Sequence, residues 1–262
     1  MRSLAVAFAF VAVVSGCAAV YPEAQTPLRD PPGGRDLEPP PPKDLFYVAL
    51  AGADVPERTR DGRAWHELGS KLPDPFAILF VNGKELIRTN RETSTLHPTW
   101  ADAPRGNFRV VPGDRVRVEL WEAALVNKPM CVKDLGSVQP EWAARKELDL
   151  ECESGAHVKL TWEPARGKLG YGFFYEFRTS SVAVTRVFEE SPAARAGLKP
   201  GDEIVLLGDR VAKSMKPTAV ESFLGASRAD GVSITIRHAG GEPTAIDLKE
   251  ASVYPLYAET AH

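Results

Sequence analysis

Residues 168–204 read KLGYGFFYEF, then RTS, then SVAVTRVFEESPAARAGLKPGDEI, and the order of parts in this stretch decides the fold of the second half of the chain. A glycine-bracketed turn, Gly170-Tyr171-Gly172, runs into an aromatic strand, Phe173-Phe174-Tyr175-Glu176-Phe177. A second strand alternates through Val182 and Val184 and then slips to Val187. Ser191 can accept a backbone N–H at a helix start, and Pro192 stands where its missing N–H does no harm. Gly197 can take the left-handed conformation that ends a helix, and Pro200-Gly201 is a turn that launches Glu203-Ile204-Val205-Leu206-Leu207. The glycines at 170 and 172 let the backbone turn with its N–H groups exposed, a nest suited to a carboxylate.

This ordered set resembles a PDZ domain over residues 168–248. Gly170-Tyr171-Gly172-Phe173 matches the family's glycine–apolar carboxylate loop, and Ser191-Pro192-Ala193, Ala196-Gly197-Leu198 and Gly201-Asp202 match its central motif. Gly208-Asp209-Arg210 departs from the Asn-Gly turn of many members. The resemblance implies a small β-barrel with two helices, the second over residues 217–224. A peptide would add as an extra strand between the glycine-loop strand and this helix. The residues so implied are Leu169, Gly170, Tyr171, Gly172, Phe173, Phe174, Tyr175, Lys216, Val220 and Leu224, with Lys216 favouring an acidic ligand residue. A groove that is only a fold remnant, or one filled by the chain's own tail at residues 254–262, is the alternative.

Outward from this unit, 262 residues allow one or two domains, and a net charge of −3 with no basic tract gives no nucleic-acid footprint. The N-terminus carries Arg2 and then an apolar run over residues 4–14, too short to span a bilayer, where ~20 residues are needed. Val14-Ser15-Gly16-Cys17 follows and resembles a bacterial lipobox. That implies cleavage of residues 1–16 and lipidation of Cys17. Ala18 and Ala19 lack an acidic retention residue, which favours the outer membrane of a bacterial cell envelope. The alternative is an ordinary secretory signal with an incidental cysteine. Residues 17–44, with Pro31-Pro32 and Pro39-Pro40-Pro41-Pro42, are expected to be a disordered, extended tether several nanometres long.

Residues 45–163 read as a β-sandwich. Strand-length apolar runs stand at 45–50 and 76–81, Asn82-Gly83 signals a hairpin, and residues 115–121 alternate cleanly. Residues 147–150 and 157–162 complete the set. Asp74-Pro75-Phe76 and then Thr95-Leu96-His97-Pro98-Thr99-Trp100 resemble the landmark steps of a C2 domain. That family often binds calcium through loop carboxylates, because a hard cation takes many oxygen ligands. The positions carried over are Asp54, Asp61, Asp74, Glu122 and Asp134, with Ala124 where a further aspartate belongs, so the set is depleted. No cofactor is expected beyond possible calcium.

With Cys17 lipidated, Cys131 and Cys152 remain as an even pair in an oxidising compartment, either disulfide-bonded or two isolated thiols. The five histidines show no ligand spacing with them, and no G-x-S-x-G elbow or phosphate loop is present. The chain reads as a mainly β, non-enzymatic lipoprotein: signal 1–16, tether 17–44, sandwich 45–163, PDZ-like unit 164–250 and tail 251–262. The expected partners are protein C-termini or extended peptides and, through the lipid anchor, a membrane. Two further readings are a lipid-binding protein acting through the sandwich, with or without calcium, and a regulator or adaptor of an envelope protease or secretion system.

Overall fold

The computed structural model describes residues 22–32, 37–65, 72–226 and 230–257. The signal segment, Cys17, residues 18–21 and 33–36 of the tether, His66 and the end of the tail lie outside them. The architecture is mainly β.

The first unit is a sandwich of two four-stranded antiparallel sheets. One sheet holds β3 (Pro75–Val81), β4 (Lys84–Arg88), β6 (Arg115–Glu122) and β7 (Lys128–Ser137) in the order β4-β3-β6-β7. The other holds β2 (Leu45–Asp54), β5 (Gly106–Arg109), β8 (Lys146–Glu151) and β9 (His157–Pro164) in the order β5-β2-β9-β8. Alternation decides which side chains enter the core. Val116, Val118 and Leu120 of β6 face Val158, Leu160 and Trp162 of β9 in one cluster, and all six are fully buried. Phe46 and Trp142, the first residue of the short helix α1 (Trp142–Arg145), flank the Trp162 ring, each with its centroid at 5.3 Å. Trp100 plugs the core after its proline turn, and Gly52 lets the Pro98 carbonyl approach, since a Cβ there would lie 2.7 Å from that oxygen. Cys131 on β7 and Cys152 just after β8 are joined by a disulfide that ties one sheet to the other.

The second unit is built on β11 (Phe173–Phe177), β12 (Val182–Val187), β13 (Glu203–Leu207), β15 (Val232–Arg237) and β16 (Thr244–Leu248), hydrogen-bonded in that order. β14 (Arg210–Val211) folds back on β13. The short helix α2 (Pro192–Arg195) is capped as its sequence dictates: the Ser191 hydroxyl accepts the Ala194 N–H at 3.1 Å, with Pro192 in the first turn. Asp202, buried, accepts the Lys199 N–H at 2.8 Å and meets His238 Nδ1 at 2.7 Å, which fixes the turn into β13. Helix α3 (Pro217–Gly225) buries Val220 and Leu224 against the sheet.

Two findings differ from the sequence reading. The described parts of the proline-rich segment do not extend away from the protein. Residues 24–25 form a strand, β1 (Ala24–Gln25), at the edge of the second sheet, and Leu37 packs with Leu45, Ala165 and Tyr254. The chain after residue 250 is also no loose tail. β17 (Ala251–Val253) pairs with β10 (Lys168–Gly170), Tyr254 donates to the Pro39 carbonyl at 2.9 Å, and the Tyr257 ring stacks 5.4 Å from Phe108 of the sandwich. Asn107 of β5 donates to the carbonyls of Arg166 and Pro255 and accepts the Arg166 N–H, so the C-terminal segment is stitched between the two units.

Candidate peptide groove and its occupant

The glycine-loop strand and α3 border the candidate groove and share one core. Tyr171, Phe173 and Tyr175 point into the same buried cluster as Val220 and Leu224 of α3. The loop between β10 and β11 is held from behind: the Tyr171 carbonyl accepts the Ala193 N–H at 3.0 Å, and the Gly172 carbonyl accepts the Phe188 N–H at 2.9 Å. Gly172 must be glycine here, because its φ is +81° and a Cβ would meet the Ser191 side chain at 2.5 Å. Of the positions the resemblance implies, Tyr171, Phe173, Tyr175, Val220 and Leu224 share one cluster, whereas Phe174 packs in a separate one with Phe188 and Val253, and Leu169 lies in the β10–β17 ladder.

That place is filled by the chain itself. β1 runs antiparallel to β11 with Ala24 opposite Tyr175 and Gln25 opposite Phe174. Thr26 is fully buried: its N–H and its hydroxyl both donate to the Phe173 carbonyl at 2.9 Å, and the hydroxyl accepts the Phe173 N–H at 3.2 Å. The hydroxyl thus takes a loop N–H of the kind expected to receive a ligand carboxylate. The segment does not stop at the loop. Arg29 and Leu169 exchange two backbone hydrogen bonds, of 3.0 and 2.8 Å, beyond it. Ala24 packs on the core cluster, and Leu28 lies against Phe174, Phe188 and Val253. The segment also sits close to glycines: a Cβ on Gly170 would meet Leu28 Cδ2 at 2.6 Å and the Pro27 carbonyl at 2.7 Å, and Gly225 of α3 faces Pro27.

Charges repeat the match. Glu23 pairs with Arg186, whose guanidinium also lies over the Phe174 ring at 3.8 Å, Arg29 pairs with Glu250, and Asp30 pairs with Lys168. Lys216, expected to select an acidic ligand residue, is exposed at the start of α3, and the segment's acidic residue goes to Arg186 instead. Burial pushes the Tyr175 phenol up to about 12, and Glu221 of α3 adds to the shift. The sequence reading missed the occupant. Its only local signal was the alternation Ala24-x-Thr26-x-Leu28 inside a proline-rich stretch.

The calcium candidates do not form one set. Asp54, Asp74 and Glu122 lie at the same end of the sandwich: Val55 donates to the Leu96 carbonyl, Thr95 to the Pro73 carbonyl, and Pro75 is opposite Glu122. Each is engaged by protein groups. Hydrogen bonds from His97 and Lys159 hold the Asp54 carboxyl below the ordinary aspartate range, Asp74 accepts the Ser94 N–H at 2.8 Å, and Glu122 accepts the Asp74 N–H at 2.8 Å. Asp61 accepts the Thr59 hydroxyl in an exposed turn, a bond that lowers its pKa. Asp134 corrects the sequence expectation: it is opposite Arg117 and bonded to Arg115, towards the other end of β6. Among the described residues no group of three or more His, Cys, Asp or Glu side chains gathers as a metal set.

No family model matches the chain, and no curated protein matches it. Solved structures do. A C2 domain aligns with a TM-score of 0.34 and 12% identity over 45% of this chain and 95% of that one. The paired C2 domains of Extended-Synaptotagmin 2 align at 0.36 and 16% over 56% of this chain and 49% of that one. A C2 domain of plant Extended Synaptotagmin 1 aligns at 0.34 and 17% over 47% of this chain and 96% of that one.

Proposed function

We propose that this chain is a protein-interaction module of the cell envelope, anchored through Cys17, whose PDZ-like unit takes up extended peptides by adding them as a strand to β11. One observation carries the reading: a strand in antiparallel register already lies along the edge of β11, with Pro27 against Gly225 of α3 and complementary charges along it. Main-chain bonds to an open sheet edge provide affinity, and pockets for alternate side chains provide selection. An array of ten-residue peptides, probed with the full chain and with Gly170→Val, tests it. The added side chain fills the space of Leu28 and Pro27. Captured peptides should share one alternating pattern and be lost with Gly170→Val. Capture unchanged by that substitution contradicts the reading. A role as regulator or adaptor for an envelope protease would use the same groove.

A second reading, membrane docking by the sandwich, is favoured by one surface feature. Leu125 and Val126 stand out from the β6–β7 turn, Val126 with 78% of its surface exposed, at the same end as Arg58, Arg60 and Arg63. Liposomes containing anionic lipid should then sediment the protein, with or without calcium, and Leu125→Ser with Val126→Ser should reduce this at least ~tenfold. Equal sedimentation of the double variant counts against it.

A further inference from the structure

We propose that residues 23–30 are a built-in competing ligand that closes the groove, and that the partner able to displace it is an internal extended segment of the same pattern, not a chain terminus. This rests on the strand-addition reading above.

The contact has the marks of a reversible strap. It adds β1 to an edge, and β11 keeps its own pairing with β12 when β1 leaves. Thr26 is the only strap side chain wholly out of solvent, while Pro22, Glu23, Gln25, Pro27, Arg29 and Asp30 retain solvent contact. Its ion pairs are at the surface, where each contributes little and salt screens it. Leu37 and Pro39 hold the following chain on the fold, so the strap stays tethered close to the groove when it leaves. A strap on so short a connection acts at an effective concentration on the order of millimolar, and it lowers the apparent affinity of an outside ligand by the fraction of time the groove is closed.

The strap also specifies what replaces it. The seat beside Tyr175 takes a small residue, the Phe173 backbone takes a residue with a hydroxyl, and the Phe174–Phe188–Val253 pocket takes an aliphatic one. Arg186 calls for an acid at the N-terminal end and Glu250 for a base at the C-terminal end. The two bonds between Arg29 and Leu169 lie past the glycine loop, so a ligand that continues through gains them and one that ends at the loop does not.

The test uses a labelled, amidated peptide of residues 22–32 and the full chain. Thr26→Asp and, separately, Leu28→Asp release the strap without touching the groove wall; near-ultraviolet circular dichroism checks that each variant is folded. Both should bind the peptide at least ~tenfold more tightly than the unaltered chain. A shorter peptide ending in a free carboxylate at Thr26 should bind the released variants more weakly than the full peptide. Equal affinity for unaltered and released chains overturns the strap while leaving the groove. Tighter binding of the carboxylate-ended peptide overturns the internal-segment partner. Binding to neither released variant, both folded, overturns the groove reading and the strap with it.

Discussion

At the scale of single residues, Thr26 does what a ligand end-group is expected to do. Its hydroxyl both donates to the Phe173 carbonyl and accepts the Phe173 N–H, so one small side chain satisfies the polar edge of the loop. Tyr175, directly opposite Ala24, reports on the same place. Its phenol is neutral in the folded protein up to about pH 12, because burial disfavours the phenolate and Glu221 repels it. The folded value lies above the ordinary tyrosine value of ~10. The neutral phenol is therefore no burden to stability below pH ~10, and stability is lost as pH rises from there through about 12. Apart from the transition of Tyr254, which burial also raises, absorbance titration should show a tyrosine transition near pH 12 that Tyr175→Phe removes. In Thr26→Asp that transition should move towards 10; an unmoved transition means the strap does not shield the ring.

At the scale of elements, local chemistry was legible and distant pairing was not. The cap at Ser191-Pro192, the positive-φ Gly172 and the span of α3 depend on neighbours in sequence, and each could be read from a few residues. Gly172→Ala combines a strained φ with a Cβ against Ser191, and it should lower stability by about 2 kcal/mol or more in urea unfolding of the full chain. A loss within about 0.5 kcal/mol would mean that the loop relaxes freely. The strap was illegible for a physical reason: its pairing partner is some 150 positions away, and its inward pattern spans only Ala24, Thr26 and Leu28, too short for a period to stand out from the prolines. Asp134 was misplaced because it stands soon after the β6–β7 turn in sequence. β7 then runs most of the length of β6 and carries it towards the far end.

At the scale of the molecule, the start of the described chain returns to the second unit, its end is stitched between that unit and the sandwich, and the sandwich is closed by its own cross-link. The Cys131–Cys152 loop has a sequence separation of 21, and opening it restores conformational freedom to the unfolded chain. Replacing both cysteines by alanine should destabilise the sandwich by about 3 kcal/mol. Peptide affinity at the groove should stay as it was, because neither cysteine touches that unit; a coupled loss would show that the sandwich supports the groove. The strap also changes the mechanical picture. Were Cys17 lipidated, only residues 18–23 would separate it from β1, so the closed groove would sit within ~25 Å of the membrane instead of at the end of a long tether. Release of the strap would let the unit move outward.

The occupied groove is tested most directly by amide hydrogen exchange on the unaltered full chain, read at Thr26, Arg29, Leu169 and Phe173. All four N–H groups are hydrogen-bonded across the contact, two donated by the strap and two by the groove wall. Protection of all four, at least ~tenfold above unstructured peptide rates, is the result predicted. Exchange of Thr26 and Arg29 at unstructured rates while β12 and β13 stay protected would contradict it, leaving an open groove and a tether with no hold on it.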